Sequence, residues 1–137
     1  MAMMPKRVKY RKMQRGNRKG VACRGTEVTF GEYALKALEN CWLKNTQIEA
    51  ARVVLTKQLR GSGKLWIRVF PDKSVTKKPP ETRQGKGKGE LDHWVSVVRR
   101  GKILFELGGI PEDFGRLALA LAARKLPIRT KFVTRAH

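Results

Sequence analysis

The stretch VTFGEYALKALENCW, Val28 to Trp42, reads two ways, and the choice decides how much of the chain is sheet. Phe30, Tyr33, Ala37 and Cys41 recur at the spacing of one helix face. Val28, Phe30 and Tyr33, with a glycine at 31, suit bent strands equally well. Local pattern leaves both open.

The sequence on its C-terminal side is clearer. Thr46-Gln-Ile-Glu49 fits a capping box that opens a helix. Ile48, Ala51, Leu55 and Leu59 follow at helical spacing, with Val54 beside them, and Gly61-Ser-Gly63 ends the run. Lys64 to Phe70 alternates Leu65, Ile67 and Val69 with Trp66, Arg68 and Phe70, which predicts a strand stopped by Pro71-Asp72. A loop is expected from Lys73 to about Leu91, long enough to be functional. His93–Val98 and Lys102–Leu107, joined by Arg99-Arg100-Gly101, read as a hairpin. Pro111, with Glu112 and Asp113 in the first turn, starts a second helix. Phe114, Leu117, Ala118, Leu121 and Ala122 would be its buried face. Pro127 stops it, and Ile128 to Thr134 reads as a last strand. Helices and strands mix without regular βαβ alternation. The fold class is therefore α+β: a compact two-layer domain with a mixed or antiparallel sheet and two main helices, about 46–60 and 111–125.

Charge divides the chain. Thirty-one Lys and Arg stand against eleven Asp and Glu, a formal net charge of +20 on 137 residues. Residues 1–26 hold no acid and few large apolar side chains, so they read as a basic arm, disordered when free. Residues 27–137 read as a single domain carrying the basic loop at about 73–91. Such a charge repels itself and is best compensated by a polyanion, of which nucleic acid is the commonest. No apolar run reaches transmembrane length, and no cationic amphipathic helix long enough for a membrane surface is present. The N-terminus lacks the apolar stretch of a signal peptide; it is Arg-rich like a transit peptide, yet contains no serine. Cys23 and Cys41 lack metal-site pairing and read as free thiols of a reducing compartment.

Enzyme chemistry finds little support. Gly61-Ser-Gly-Lys64 fails as a phosphate loop because position 58 is Gln and position 65 is Leu. Gly85-Lys-Gly-Lys-Gly89 precedes a strand instead of following one, so it is no dinucleotide fingerprint. His93 has Asp92 beside it, but strand neighbours point to opposite faces. Glu49 has a capping task, Glu112 and Asp113 suit a helix start, and Glu32 and Glu39 are expected near lysines. No catalytic residue, metal site, cofactor or small-molecule substrate is expected. An enzyme built near Asp92, His93 and Glu106 is the remote alternative.

Phosphate binding without catalysis remains. Lys and Arg neutralise phosphates, and glycine lets backbone N–H groups approach them. RQGKGKG, Arg83 to Gly89, has this composition and lies in a segment without apolar anchors, so it reads as a finger ordered by RNA. Trp66, Arg68 and Phe70 share a strand face. They form either a stacking platform for unpaired bases or an inner face, with Trp66 and Phe70 under a helix and Arg68 snorkelling outward. Two helix faces need a sheet to cover, which favours the second.

Phe70-Pro-Asp-Lys73, Lys77-Lys-Pro, Arg83-Gln-Gly-Lys-Gly-Lys-Gly89 and His93-Trp-Val95 resemble the bacterial-type large-subunit ribosomal protein sixteen, the L-sixteen family. So do Pro5-Lys-Arg7 with Arg11-Lys12, Gln47-Ile-Glu-Ala-Ala-Arg52, Lys64-Leu-Trp-Ile-Arg68, and Leu126-Pro-Ile-Arg129 with Phe132-Val133. The motifs run in one order over nearly the whole chain. The resemblance implies hammerhead-like strands and settles Val28–Trp42 towards strands. It implies a structural constituent of the large subunit that binds 23S-type ribosomal RNA near the base of the central protuberance, with the loop and arm reaching towards the peptidyl transferase centre to help position transfer RNA. A-site transfer RNA, the P-site transfer RNA as a lesser expectation, and neighbouring large-subunit proteins would be the other partners. A bacterial cytoplasmic ribosome is the implied location, ahead of an organellar one. The arm residues Lys6, Arg7, Lys9, Arg11, Lys12, Arg15, Arg18 and Lys19 would neutralise phosphates. Lys77, Lys78, Arg83, Gly85, Lys86, Gly87, Lys88 and Gly89 would enter the RNA. Arg129, Lys131 and Arg135 are further candidates. Arg83 matches an arginine that is hydroxylated in some members. Gln84, where members more often have methionine, and Arg99-Arg100, at a turn that commonly carries proline, depart from the pattern. A general nucleic-acid-binding module without ribosomal specificity is the alternative function.

Overall fold

Tyr33–Ala37 forms strand β1 and Cys41–Lys44 forms strand β2, so the ambiguous stretch holds strands and no helix. A computed structural model describes residues 4–6, 19–77 and 90–135. The remaining elements are α1 (Asn45–Leu59), β3 (Lys64–Ile67), β4 (Lys73–Lys77), β5 (Glu90–Val98), β6 (Ile103–Gly108), α2 (Glu112–Ala123) and β7 (Thr130–Thr134). They build a four-stranded sheet, β3-β6-β1-β7, and a three-stranded sheet, β2-β5-β4. Every strand pair is antiparallel. The fold is α+β, as the order of elements predicts.

The core lies between the helices and one face of the larger sheet. Leu35, Leu104, Phe105 and Leu107 from the sheet meet Ile48, Ala51, Leu55 and Leu59 of α1 and Ala118, Leu119 and Ala122 of α2. The α1 residues are those the helical spacing selects. The α2 face is rotated from expectation. Leu117 is 55% exposed, while Gly115 and Leu119 are buried. A Cβ on Gly115 would stand 3.0 Å from Tyr33 Cδ2, so the absence of a side chain lets α2 settle on β1. Apolar residues surround this helix on most sides, so periodicity alone picks its face poorly.

Other boundaries differ for physical reasons. The α1 capping box is not Thr46 with Glu49: the Lys44 N–H donates to Gln47 Oε1 at 3.0 Å, and Glu49 pairs with Arg52 at 2.5 Å. Lys73–Lys77, expected to begin the loop, is strand β4, and Glu90 already belongs to β5. Val75 and Thr76 supply the β-branched side chains that favour extension. Residues 78–89, to which the rest of the expected loop belongs, and residues 7–18 of the arm lie outside the described residues.

The predicted hairpin is the largest correction. Its turn forms, with the Lys102 N–H donating to the Arg99 carbonyl at 3.1 Å and Gly101 at φ 95°. Yet β5 pairs with β2 and β4, whereas β6 pairs with β1 and β3. The cause lies in the turn's own polar groups. Gly101 N–H donates to the Ala37 carbonyl, and the Lys102 carbonyl accepts from Ala37 N–H, both at 2.8 Å. Those bonds commit the chain to the end of β1, so it passes from one sheet to the other.

Part of the outer face of the larger sheet is covered by residues 25–31. The Ile103 N–H bonds the Gly25 carbonyl at 2.7 Å, and the Glu32 N–H bonds the Leu107 carbonyl at 2.8 Å. A Cβ on Gly31 would lie 2.4 Å from the Leu107 carbonyl oxygen, an overlap no side chain relieves. Glycine at 31 is therefore a condition of this closure.

Candidate nucleic-acid interface

Glu106 anchors that covering segment. It is fully buried, although most buried carboxylates are costly. Its Oε1 accepts from the backbone N–H groups of Thr29 at 3.1 Å, Phe30 at 2.8 Å and Gly31 at 2.9 Å. Arg68 pairs with Oε2. Burial pushes this carboxyl up; the Gly31 N–H, the Arg68 side chain and the Phe30 N–H outweigh it, so it titrates below the usual range. Glu106 is a structural anion. It holds Phe30 beside Trp66, with ring centroids 6.4 Å apart and planes 19° from parallel. The Arg68 guanidinium lies 4.9 Å from the Phe30 centroid.

This arrangement corrects the expected inner face. Trp66 packs against Phe30, outside the residues that contact the helix core, and Phe70 is 46% exposed. Arg68 turns inward to Glu106 instead of snorkelling outward. His93 lies on β5 of the smaller sheet and Glu106 on β6 of the larger, where backbone N–H groups and Arg68 occupy the Glu106 carboxylate. No cluster of potential metal ligands occurs among the described residues.

A cationic seam joins the arm to the body. Val21 bridges to Arg100 in parallel, and the Ala22 N–H bonds the Arg100 carbonyl at 2.9 Å. Arg99 Nε donates to the Lys19 carbonyl at 3.0 Å. Asn40 ties both sides, donating to the Gly20 carbonyl at 3.0 Å and accepting from the Arg100 N–H at 2.6 Å. Lys102 Nζ lies 3.3 Å from where a Cβ on Gly25 would stand, and Lys36 Cε is 3.8 Å from the same point on Gly101. Lys36, Arg99, Arg100 and Lys102 have no ion-pair partner among the described residues. Lys36 also stands opposite Lys131 across the β1–β7 ladder. Like charges placed so are unfavourable unless an anion lies near.

The residues singled out from sequence fall as follows. Lys6 and Lys19 are exposed. Lys77, the last residue of β4, stands opposite Glu90 in the β4–β5 ladder. Arg7, Lys9, Arg11, Lys12, Arg15, Arg18, Lys78, Arg83, Gly85, Lys86, Gly87, Lys88 and Gly89 lie outside the described residues. Lys131 is exposed on β7. Arg129 is exposed but bonded: Glu39 Oε1 accepts from its Nε at 2.8 Å and its backbone N–H at 3.2 Å. Arg129's side-chain and backbone N–H groups hold Glu39 below the usual carboxylate range. Glu39, expected beside a lysine, pairs with this arginine instead. An exposed pair of this kind is weak and salt-screened, so a phosphate can compete for Arg129. Sequence reasoning missed the seam cations. The Arg-Arg-Gly-Lys run at 99–102 was the available signal, but a hairpin reading assigns it to a turn.

The sequence matches the family described as ribosomal protein L16p/L10e over residues 5–133. It is 60% identical over 135 residues to large ribosomal subunit protein uL16 of Methylacidiphilum infernorum (isolate V4), covering 98% of this chain and 94% of that protein. It is 58% identical over 135 residues to the protein of the same name from Fervidobacterium nodosum (strain ATCC 35602 / DSM 5306 / Rt17-B1), covering 98% and 95%.

Proposed function

The chain belongs to the ribosomal protein L16p/L10e family, and from that premise we propose how it works in the particle. It is a structural, non-enzymatic constituent of the large ribosomal subunit. It binds 23S-type ribosomal RNA through two basic segments, the arm and the loop. The arm carries Lys6, Arg7, Lys9, Arg11, Lys12, Arg15, Arg18 and Lys19. The loop carries Lys77, Lys78, Arg83, Lys86 and Lys88, with Gly85, Gly87 and Gly89 for close backbone approach. Arg129 and Lys131 add contacts from β7. Through the loop and arm the protein helps place A-site transfer RNA, with the P-site transfer RNA a lesser contact, in a bacterial cytoplasmic ribosome.

The observation that carries this reading is the seam. Lys36, Arg99, Arg100 and Lys102 gather where the arm meets the body, without carboxylate partners among the described residues. An RNA backbone supplies the missing anions and releases counterions on binding. Phosphate contacts fix position, and selectivity then comes from RNA shape.

The test compares binding to large-subunit RNA with binding to an unrelated structured RNA of equal length. Selective binding, weakened by Lys36→Ala with Lys102→Ala, is the expected result. Equal affinity for both RNAs would favour a general nucleic-acid-binding module and remove the ribosomal reading of these residues.

A further inference from the structure

Beside the aromatic pair lies a hollow of about 570 Å³, within the size range of ligand sites. Phe30 and Trp66 form one wall, and Lys64, Arg135 and Glu32 stand around it. The hollow has a glycine floor. Trp66 Cζ3 is 3.1 Å from where a Cβ would stand on Gly31 or on Gly108, so the indole lies directly on backbone. Phe30 is 55% exposed, an apolar ring left in water although Glu106 fixes its backbone. The β7 end is held to the same rim, with the Arg135 N–H donating to the Glu32 carbonyl at 2.8 Å.

An exposed ring held rigidly, with two cations and one carboxylate at its rim, suits a particular ligand. Aromatic side chains stack any base, and Lys64 and Arg135 attract the flanking phosphates. The carboxylate of Glu32 accepts hydrogen bonds only; its Oε1 takes the Gly109 N–H at 3.5 Å and the Tyr33 hydroxyl bonds the same side chain, and its roughly four lone-pair sites leave room for further donors. Among the four bases, guanine alone offers two adjacent N–H donors on one edge, N1–H and the N2 amino group. Adenine and cytosine offer one amino group, and uracil one imide N–H. We propose that this hollow binds a single unpaired nucleotide of an RNA strand, with guanosine preferred. The proposal rests on the RNA-binding reading above and adds a site separate from the arm, loop and seam.

The test uses the full chain at raised salt, which screens exposed charges. The pentaribonucleotides UUGUU and UUUUU are titrated while the Trp66 indole signal is followed, with inorganic phosphate as the control probe. Native protein should bind UUGUU at least about fivefold more tightly than UUUUU. Phe30→Leu should weaken UUGUU by at least about fivefold, the lower end of one base stack. Glu32→Gln should remove the guanosine preference, so that UUGUU and UUUUU bind alike. Lys64→Ala, an exposed change on an edge strand that spares the fold, should weaken both. Equal binding by native, Phe30→Leu and Lys64→Ala proteins would overturn the proposal, as would displacement of UUGUU by phosphate alone. The same variants are then tested on long RNA. Selective binding of large-subunit RNA that persists while UUGUU ignores Phe30 removes only the hollow. Loss of that selectivity in the native chain, with UUGUU still dependent on Phe30 and Glu32, removes only the ribosomal reading of the seam.

Discussion

At the scale of the residue, Glu106 organises the outer face. Three backbone N–H groups and Arg68 surround one buried carboxylate. The group is ionised more easily folded than unfolded. Its contribution is therefore complete above its unfolded pKa, about 4.3, and is lost as pH falls through the lower folded value. Glu106→Gln should lower stability by roughly 3 kcal/mol near neutral pH, the low end for breaking a buried pair, because Arg68 retains some access to water. It should also flatten the fall in stability below about pH 4.3. Urea unfolding at several pH values checks both. An unchanged acid profile in the variant would mean that other carboxylates carry the transition. None of this was legible in the sequence. Glu106 sits inside an apolar run, and its partners lie more than seventy positions away at Thr29, Phe30 and Gly31 and 38 positions away at Arg68.

At the scale of the element, local signals served well where local physics decides. Ile48, Ala51, Leu55 and Leu59 mark the buried face of α1, and all four are buried. Pro111, Glu112 and Asp113 mark the start of α2. Long-range pairing was another matter. Arg99-Arg100-Gly101 reads as a hairpin turn, yet the bonds from Ala37 take its polar groups and separate β5 from β6. Nothing in the local sequence around the turn reports on Ala37. Val28–Trp42 was undecidable by period; within it Tyr33–Ala37 became strand through pairing with β6 and β7, and Cys41–Trp42 through pairing with β5. The end of α1 carries a testable strain. Arg60 adopts φ 47°, left-handed backbone that L residues enter at a cost. Arg60→Gly should stabilise the protein by about 0.5–1 kcal/mol, since glycine takes this conformation freely while losing more entropy on folding. A higher midpoint in thermal unfolding is the expected reading; a lower one would show that the Arg60 side chain holds the helix end by interactions that outweigh the strain.

At the scale of the whole molecule, the net charge of +20 sets the problem and the seam shows how the body meets it. Composition alone predicts the basic arm and the glycine-lysine segment, most of which lie outside the described residues. The seam was not, because Lys36 and Lys102 are far apart in sequence and meet only through the β1–β6 ladder. The Phe30–Trp66 pair was half legible: Trp66 reads as a stacking candidate, but its partner lies in the ambiguous stretch. The central claim is that the Arg83–Gly89 finger reads phosphates of ribosomal RNA. Its most direct test is a salt titration of binding to large-subunit RNA, comparing the native chain with a variant carrying Arg83→Ala, Lys86→Ala and Lys88→Ala. The account predicts weaker binding and a salt slope shallower by roughly 0.7–0.9 for each phosphate that the variant no longer neutralises. An unchanged affinity and slope would contradict it, leaving the finger a solvated loop and the remaining basic residues as the source of RNA binding.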